Sequence, residues 1–135
     1  MEVMRINLGM LLFIASAFAY SGCSSKLEVV ESPAKLVARE FLMALAQSDI
    51  ETAWSMVDPS QRKTLTIARF KTACVRLLKK ANLEQPTVQI KACSDKDGKA
   101  IAHGAWVKGS KRFRIDIELW NQNETWVVHL GRDFY

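Results

Sequence analysis

The sequence predicts an α+β fold, with amino-terminal helices packed on one side of a four-stranded antiparallel sheet. Three observations carry this. Apolar residues recur at helical spacing from Pro33 to Ala81 and alternate with polar ones after Pro86. The helical segments come first and the strands follow as one run, the order of an α+β layer rather than of βαβ units. At 135 residues, 49% apolar and 24% charged, the chain has the length and composition of one small folded domain and not of a disordered segment.

Before the domain comes an apolar leader. Leu8 to Tyr20 reads LGMLLFIASAFAY, without a charge. As a helix it is about 20 Å long, short of the ~30 Å hydrocarbon core of a bilayer. With Arg5 ahead of it, it reads as a secretory signal peptide. Glu2 offsets Arg5, and a start at Met4 makes a cleaner positive region. Two cleavage positions compete. Ala17-Phe18-Ala19 is an A-x-A site that releases a soluble chain beginning at Tyr20. Tyr20-Ser21-Gly22-Cys23 resembles the lipobox of bacterial lipoproteins, although an aliphatic residue is usual where Tyr20 stands. In that family cleavage after Gly22 leaves Cys23 as the first residue, its thiol carrying a diacylglyceryl group. Cysteine arithmetic favours the lipobox: three cysteines leave one over in an exported chain, and lipidation of Cys23 leaves two that can pair. The expected organisation is a signal peptide over 1–22, a lipidated cysteine and polar tether over 23–32, and a domain over 33–135. The resemblance implies attachment to a membrane through Cys23. Ser24 directly after it implies the outer membrane, with the domain facing the periplasm.

Ser32-Pro33 opens the first helix, a capping residue followed by proline at the first helical position. Leu36, Val37, Phe41, Ala44 and Leu45 follow at helical spacing. Ser48-Asp49-Ile50-Glu51 matches a capping box and predicts a short second helix with Ile50, Ala53, Trp54 and Val57 on its apolar face. Asp58-Pro59 is expected to end it. A third helix runs from about Thr66 to Ala81, with Phe70, Ala73, Cys74, Leu77 and Ala81 as its stripe and Asn82 as a left-handed cap.

The first strand spans Thr87 to Cys93, with Val88, Ile90 and Ala92 on one face; Asp95-Lys96-Asp97-Gly98 signals a hairpin turn. The second covers about Ala100 to Lys108, and Gly109-Ser110 turns the chain. The third alternates most cleanly, with Phe113, Ile115, Ile117 and Leu119 opposite Arg112, Arg114, Asp116 and Glu118. Asn121-Gln122-Asn123 is read as the next turn. The fourth strand points Trp126, Val128 and Leu130 inward. Such alternation describes a sheet with one buried and one wet face.

The pattern Pro33…Phe41-Leu42…Leu45…Asp49-Ile50…Ala53-Trp54, closed by Glu124-Thr125-Trp126-Val127-Val128, resembles the nuclear-transport-factor-2-like (cystatin-like) superfold found in small bacterial lipoproteins of unknown function. The resemblance covers about residues 33–135. It implies helices on a curved sheet forming a cone with an apolar pocket at its wide end. On that basis Phe41, Trp54, Phe70, Ile115, Ile117 and Trp126 are pocket candidates, with core packing as their other role. Enzymes of the superfold usually place an acid or histidine inside the cone. His103 shares strand parity with Ile101, Ala105 and Val107 and is the candidate for an inward base; His129 falls on the wet face. No inward acid is evident, and Asp49, Asp58, Asp95 and Asp97 stand at caps and turns. No catalytic residue is assigned beyond that His103 alternative.

No pair of histidines or Cys-x-x-Cys has metal-ligand spacing, so no metal site is expected, and no cofactor. Cys74 and Cys93 are either a disulfide, which export permits, or two separate thiols. Cys93 falls in phase with Gln89 and Lys91 on the wet face, and a bulge is needed to turn it toward Cys74. Arg62, Arg69, Arg76, Lys79 and Lys80 lie in a stretch from Pro59 to Leu83 without an acid. They form a patch for anionic headgroups or an acidic partner, or a solvated helix face. Nucleic acid is not an expected partner, because no aromatic stacking platform accompanies the charges. The reading is a non-enzymatic, lipid-anchored binding module for a small apolar ligand or a protein partner. The alternatives are an isomerase- or dehydratase-like enzyme using His103, and a protein that dimerises or docks through its sheet face.

Overall fold

The computed structural model describes residues 31–135. The leader, the Gly22–Cys23 cleavage position and most of the tether lie outside the described residues. No helix among the described residues is long and apolar enough to cross a membrane.

Helix α1 spans Pro33–Ala46. Its cap is Ser32, whose hydroxyl accepts the Lys35 N–H at 3.2 Å. Helix α2, Ile50–Ser55, starts one residue later than the capping-box reading places it. Ser48 is left-handed, with φ 58°, and ends α1 instead of opening α2. Its N–H donates to Leu45 O at 3.0 Å and the Asp49 N–H to Ala44 O at 2.8 Å. Asp49 is the cap of α2, accepting from Thr52 N at 3.2 Å and Thr52 Oγ1 at 2.7 Å. Helix α2 also ends before Asp58-Pro59, because Val57 leaves it to bridge Val128 in parallel. A 3₁₀ turn at Gln61–Lys63 leads to α3, Ile67–Ala81. Asn82 closes α3 in the left-handed region, φ 50° and ψ 46°, as expected of an asparagine there.

The sheet is a meander of β1 (Thr87–Lys96), β2 (Lys99–Lys108), β3 (Lys111–Gln122) and β4 (Thr125–His129), in that spatial order. Two-residue turns join them at Asp97-Gly98, Gly109-Ser110 and Asn123-Glu124. The last lies further on than the expected Asn121-Gln122-Asn123, because β3 runs on to Gln122. In β1 the alternation breaks at a bulge between Ile90 and Ala92. Val88 and Ile90 face the core, and beyond the bulge Cys93 does so while Ala92 is exposed.

Strand β2 has the opposite parity to the reading that turned His103 inward. Ala100, Ala102, Gly104 and Trp106 face the core, and His103 is exposed. Trp106 decides this. Its indole is fully buried and its Nε1–H donates to Leu42 O at 3.0 Å, which satisfies the one polar atom of the ring. Two positions before it, Gly104 lets α1 lie close on the sheet: a Cβ there would stand 2.6 Å from Leu42 Cδ1. Helix α1 is thus seated on the small inward residues of β2.

Candidate functional site

The pocket candidates divide into core and periphery. Phe41, Phe70, Ile115 and Ile117 are buried, while Trp54 and Trp126 are half-buried and pack against them. Phe70 has ring contacts with Phe41 at 6.4 Å, Trp54 at 5.2 Å and Phe134 at 6.0 Å. These side chains fill the interior that the cone resemblance leaves open. His103 is on the outer face of the sheet, where its Nδ1 lies 3.0 Å from Oδ1 of Asp116, directly across on β3. It does not reach the interior, so the inward base is not where that alternative needs it.

One open space lies between α3 and β3. It is a groove of about 420 Å³, walled on one side by Arg76, Leu77 and Lys80 of α3 and on the other by Phe113 to Asp116 of β3. Gly131 and Phe134 close its end. Two of the basic residues singled out in the sequence, Arg76 and Lys80, therefore border a concave surface. Arg69 and Lys79 are exposed elsewhere on α3, and Arg62 is half-buried in the 3₁₀ turn, its Nε without a hydrogen-bond partner.

The groove exists because β4 is shorter than β3. Their ladder runs only from Gln122↔Thr125 to Glu118↔His129. Asn121 N–H points toward β2, donating to Gly98 O at 2.7 Å. Strand alternation then directs the N–H and C=O of Arg112, Arg114 and Asp116 the other way, to an edge that β4 no longer covers. Among the described residues no hydrogen bond reaches those groups. After His129 the chain leaves the sheet because Phe134 is drawn into the core, 5% exposed, with its ring 6.2 Å from Phe41.

A second polar assembly lies at the opposite edge of β4. Asp58 is fully buried. Its Oδ1 accepts from Ser60 N at 2.9 Å, Ser60 Oγ at 2.8 Å and Gln122 Nε2 at 3.1 Å; its Oδ2 is 3.3 Å from His129 Nδ1. Burial pushes the carboxyl pKa up, but the hydrogen bonds from Ser60, Gln122 and His129 outweigh it and hold it below the usual carboxylate range. The His129 ring stacks on Trp120 at 3.7 Å, and Lys99 Nζ sits 4.7 Å from the Trp120 ring centroid. Nearby, Gln61 binds both backbone groups of Leu130: its Oε1 accepts from Leu130 N at 2.8 Å and its Nε2 donates to Leu130 O at 3.0 Å. Gln61 thus replaces a neighbouring strand. Sequence reasoning placed Asp58 at a cap and missed this assembly. The local signal was Asp58-Pro59-Ser60, an Asx-turn pattern; its partners Gln122 and His129 are too distant in sequence to be inferred.

A larger, shallower cleft of about 1190 Å³ lies where the end of α1 faces the start of β1, lined by Met43, Leu78, Leu83, Pro86 and Val88 with Glu84 and Lys108 at its rim. Cys74 and Cys93 are free thiols. The bulge turned Cys93 inward as the pairing required, yet the two are not bonded. No group of three or more His, Cys, Asp or Glu among the described residues could hold a metal ion.

No family model matches the chain, and no curated protein sequence matches it. Solved structures do. A proposed NTF2-like (nuclear-transport-factor-2-like) transpeptidase from Campylobacter jejuni superposes with a TM-score of 0.60 at 18% identity, over 70% of this chain and 94% of that one. A SEC-C motif containing protein from Rhodopseudomonas palustris superposes with a TM-score of 0.50 at 12% identity, over 76% of this chain and 80% of that one. A de novo designed NTF2 fold protein overlaps with a TM-score of 0.46 at 13% identity. Three helices on a four-stranded antiparallel open sheet are thus an NTF2-like fold. At these identities the likeness extends to fold alone.

Proposed function

We propose that the chain is a non-enzymatic binding module of a bacterial cell envelope, anchored by lipid on Cys23, and that its ligand site is the groove between α3 and β3. The groove carries the reading. It joins an apolar floor of Leu77, Phe113 and Ile115 to exposed cations at Arg76 and Lys80, the combination of apolar lining and few placed polar groups typical of ligand sites. The anchor is supported by the apolar leader and by Ser21-Gly22-Cys23. A lipidated Cys23 with more than one acyl chain would hold the domain stably at a membrane.

Native mass spectrometry of the full chain, released from detergent, tests both parts. The reading expects a protein beginning at Cys23 with added acyl mass, and a non-covalent adduct that is lost in an Arg76→Glu, Lys80→Glu variant. A chain beginning at Tyr20 without lipid would remove the anchor. A bare protein, indifferent to the double variant, would remove the groove as the site.

A further inference from the structure

Resting on the groove as the site, we propose that its ligand is an extended, acidic peptide segment of a partner protein, added as a strand to the uncovered edge of β3. The backbone is the first argument. Arg114 and Asp116 present alternate N–H and C=O groups to the groove, and Arg112 continues the same edge just beyond it, with no partner among the described residues. An edge of this kind is a template for another strand. At about 3.3 Å per residue the stretch from Arg112 to Asp116 accepts a strand of about five residues.

The second argument is the contrast with the other edge of the sheet. β1 is broken by its bulge and carries exposed Lys91 in it, two devices that discourage pairing. The uncovered part of β3 has neither bulge nor proline. It forms one wall of the groove opposite α3 instead, wide enough for a slender extended chain.

Charge selects the occupant. Arg76 and Lys80 face the edge across the groove, and Arg114 projects from β3 itself, while Arg112 leans the other way to donate to Gln89 of β1 at 3.4 Å. The one acid of the stretch, Asp116, is engaged by His103 at 3.0 Å. An added strand alternates its side chains between the two faces. Its inward residues would meet Leu77, Phe113 and Ile115, and its outward residues would meet Arg114. Alternating acidic and β-branched residues satisfy both.

Amide hydrogen exchange on the full chain in detergent tests this, with the capped peptide acetyl-Glu-Val-Glu-Val-Glu-amide as probe. Binding should slow exchange at Arg112, Arg114 and Asp116 and leave β1 unchanged. Affinity should fall by at least about tenfold in Arg76→Glu, Lys80→Glu, and by as much when the peptide's alternate amides are N-methylated. The methylated peptide keeps the charge and loses the ladder, so equal binding by it would overturn strand addition. Dodecyl phosphate is the second probe. If it binds in a manner sensitive to Arg76 and Lys80 while the peptide does not, the groove stands as the site and the peptide class is wrong. If neither binds, the groove itself is wrong. If the edge amides are already protected in a concentration-dependent dimer, a second copy occupies the edge and the partner peptide is excluded.

Discussion

His129 Nδ1 and Asp58 Oδ2 are 3.3 Å apart, although 71 positions separate the two residues in the chain. Through that contact the segment after α2 is tied to β4, alongside the parallel bridge of Val57 with Val128. Asp58→Ala leaves the donors of Ser60, Gln122 and His129 without their acceptor in a buried place. It should cost about 2–4 kcal/mol in urea unfolding at pH 7.

The same carboxylate gives a pH dependence of known sign. Its folded pKa is held below the ordinary value. Between that value and the unfolded one near ~3.9, the unfolded chain binds the extra proton, so this contribution is complete above about pH 4–5 and is lost as pH falls through the lowered folded value. Urea midpoints of the native chain should drop through that acid window. Those of Asp58→Asn should start lower and change less there.

Gly104→Ala tests the seating of α1 on β2. The added Cβ would meet Leu42 Cδ1 at 2.6 Å, Ile90 Cδ1 at 3.1 Å and the Ile115 carbonyl oxygen at 3.2 Å. Leu42 can rotate its terminal methyl, but the Ile115 backbone cannot yield without disturbing β3. A loss of about 1–3 kcal/mol in thermal or urea unfolding is expected.

The two thiols of the domain should separate in a titration with Ellman's reagent. Burial pushes the Cys74 thiol up to about 12, so it is neither ionised nor reachable in the folded chain. Cys93 is half-buried near the end of β1 and should react first. Cys74 should appear only in denaturant. A folded and unfolded chain that both yield no thiol would show that the pair is oxidised.

His103→Ala should change stability by less than about 0.5 kcal/mol, because its pair with Asp116 is exposed on both sides. Unfolding curves for native and variant chains should overlay. A large loss would mean that the outer face of the sheet is covered in the working protein.

Much of the fold is readable along the chain. The change of period at Pro86 separates helices from strands, and Ser32-Pro33 and Asn82 mark ends that the structure keeps. The misreadings share a cause. Ser48 matches a cap by its local pattern, but the closing turn of α1 claims it. His103 shares parity with Ile101 and Val107, but the alternative parity of Ala100, Ala102, Gly104 and Trp106 buries a tryptophan and admits a helix. Two alternations were available in β2, and only packing against Leu42 chose between them. Of the candidate site, Arg76 and Lys80 were visible as a basic run, while the groove they border was not.

The sequence by itself determined the element order, the antiparallel meander and the aromatic pair Phe41 and Phe70 of the core, because these follow from local periodicity, caps and turns; the burial of Trp106 and Phe134 did not. Tertiary structure alone decided where the surface is open. The bare edge of β3 depends on β4 stopping at His129, beyond which the chain turns so that the Phe134 ring packs in the core beside Phe41 and Phe70. The environment of Asp58 was decided in the same way, by donors from three separate segments that only the fold brings together. Such balances between distant groups leave no periodic trace in the chain.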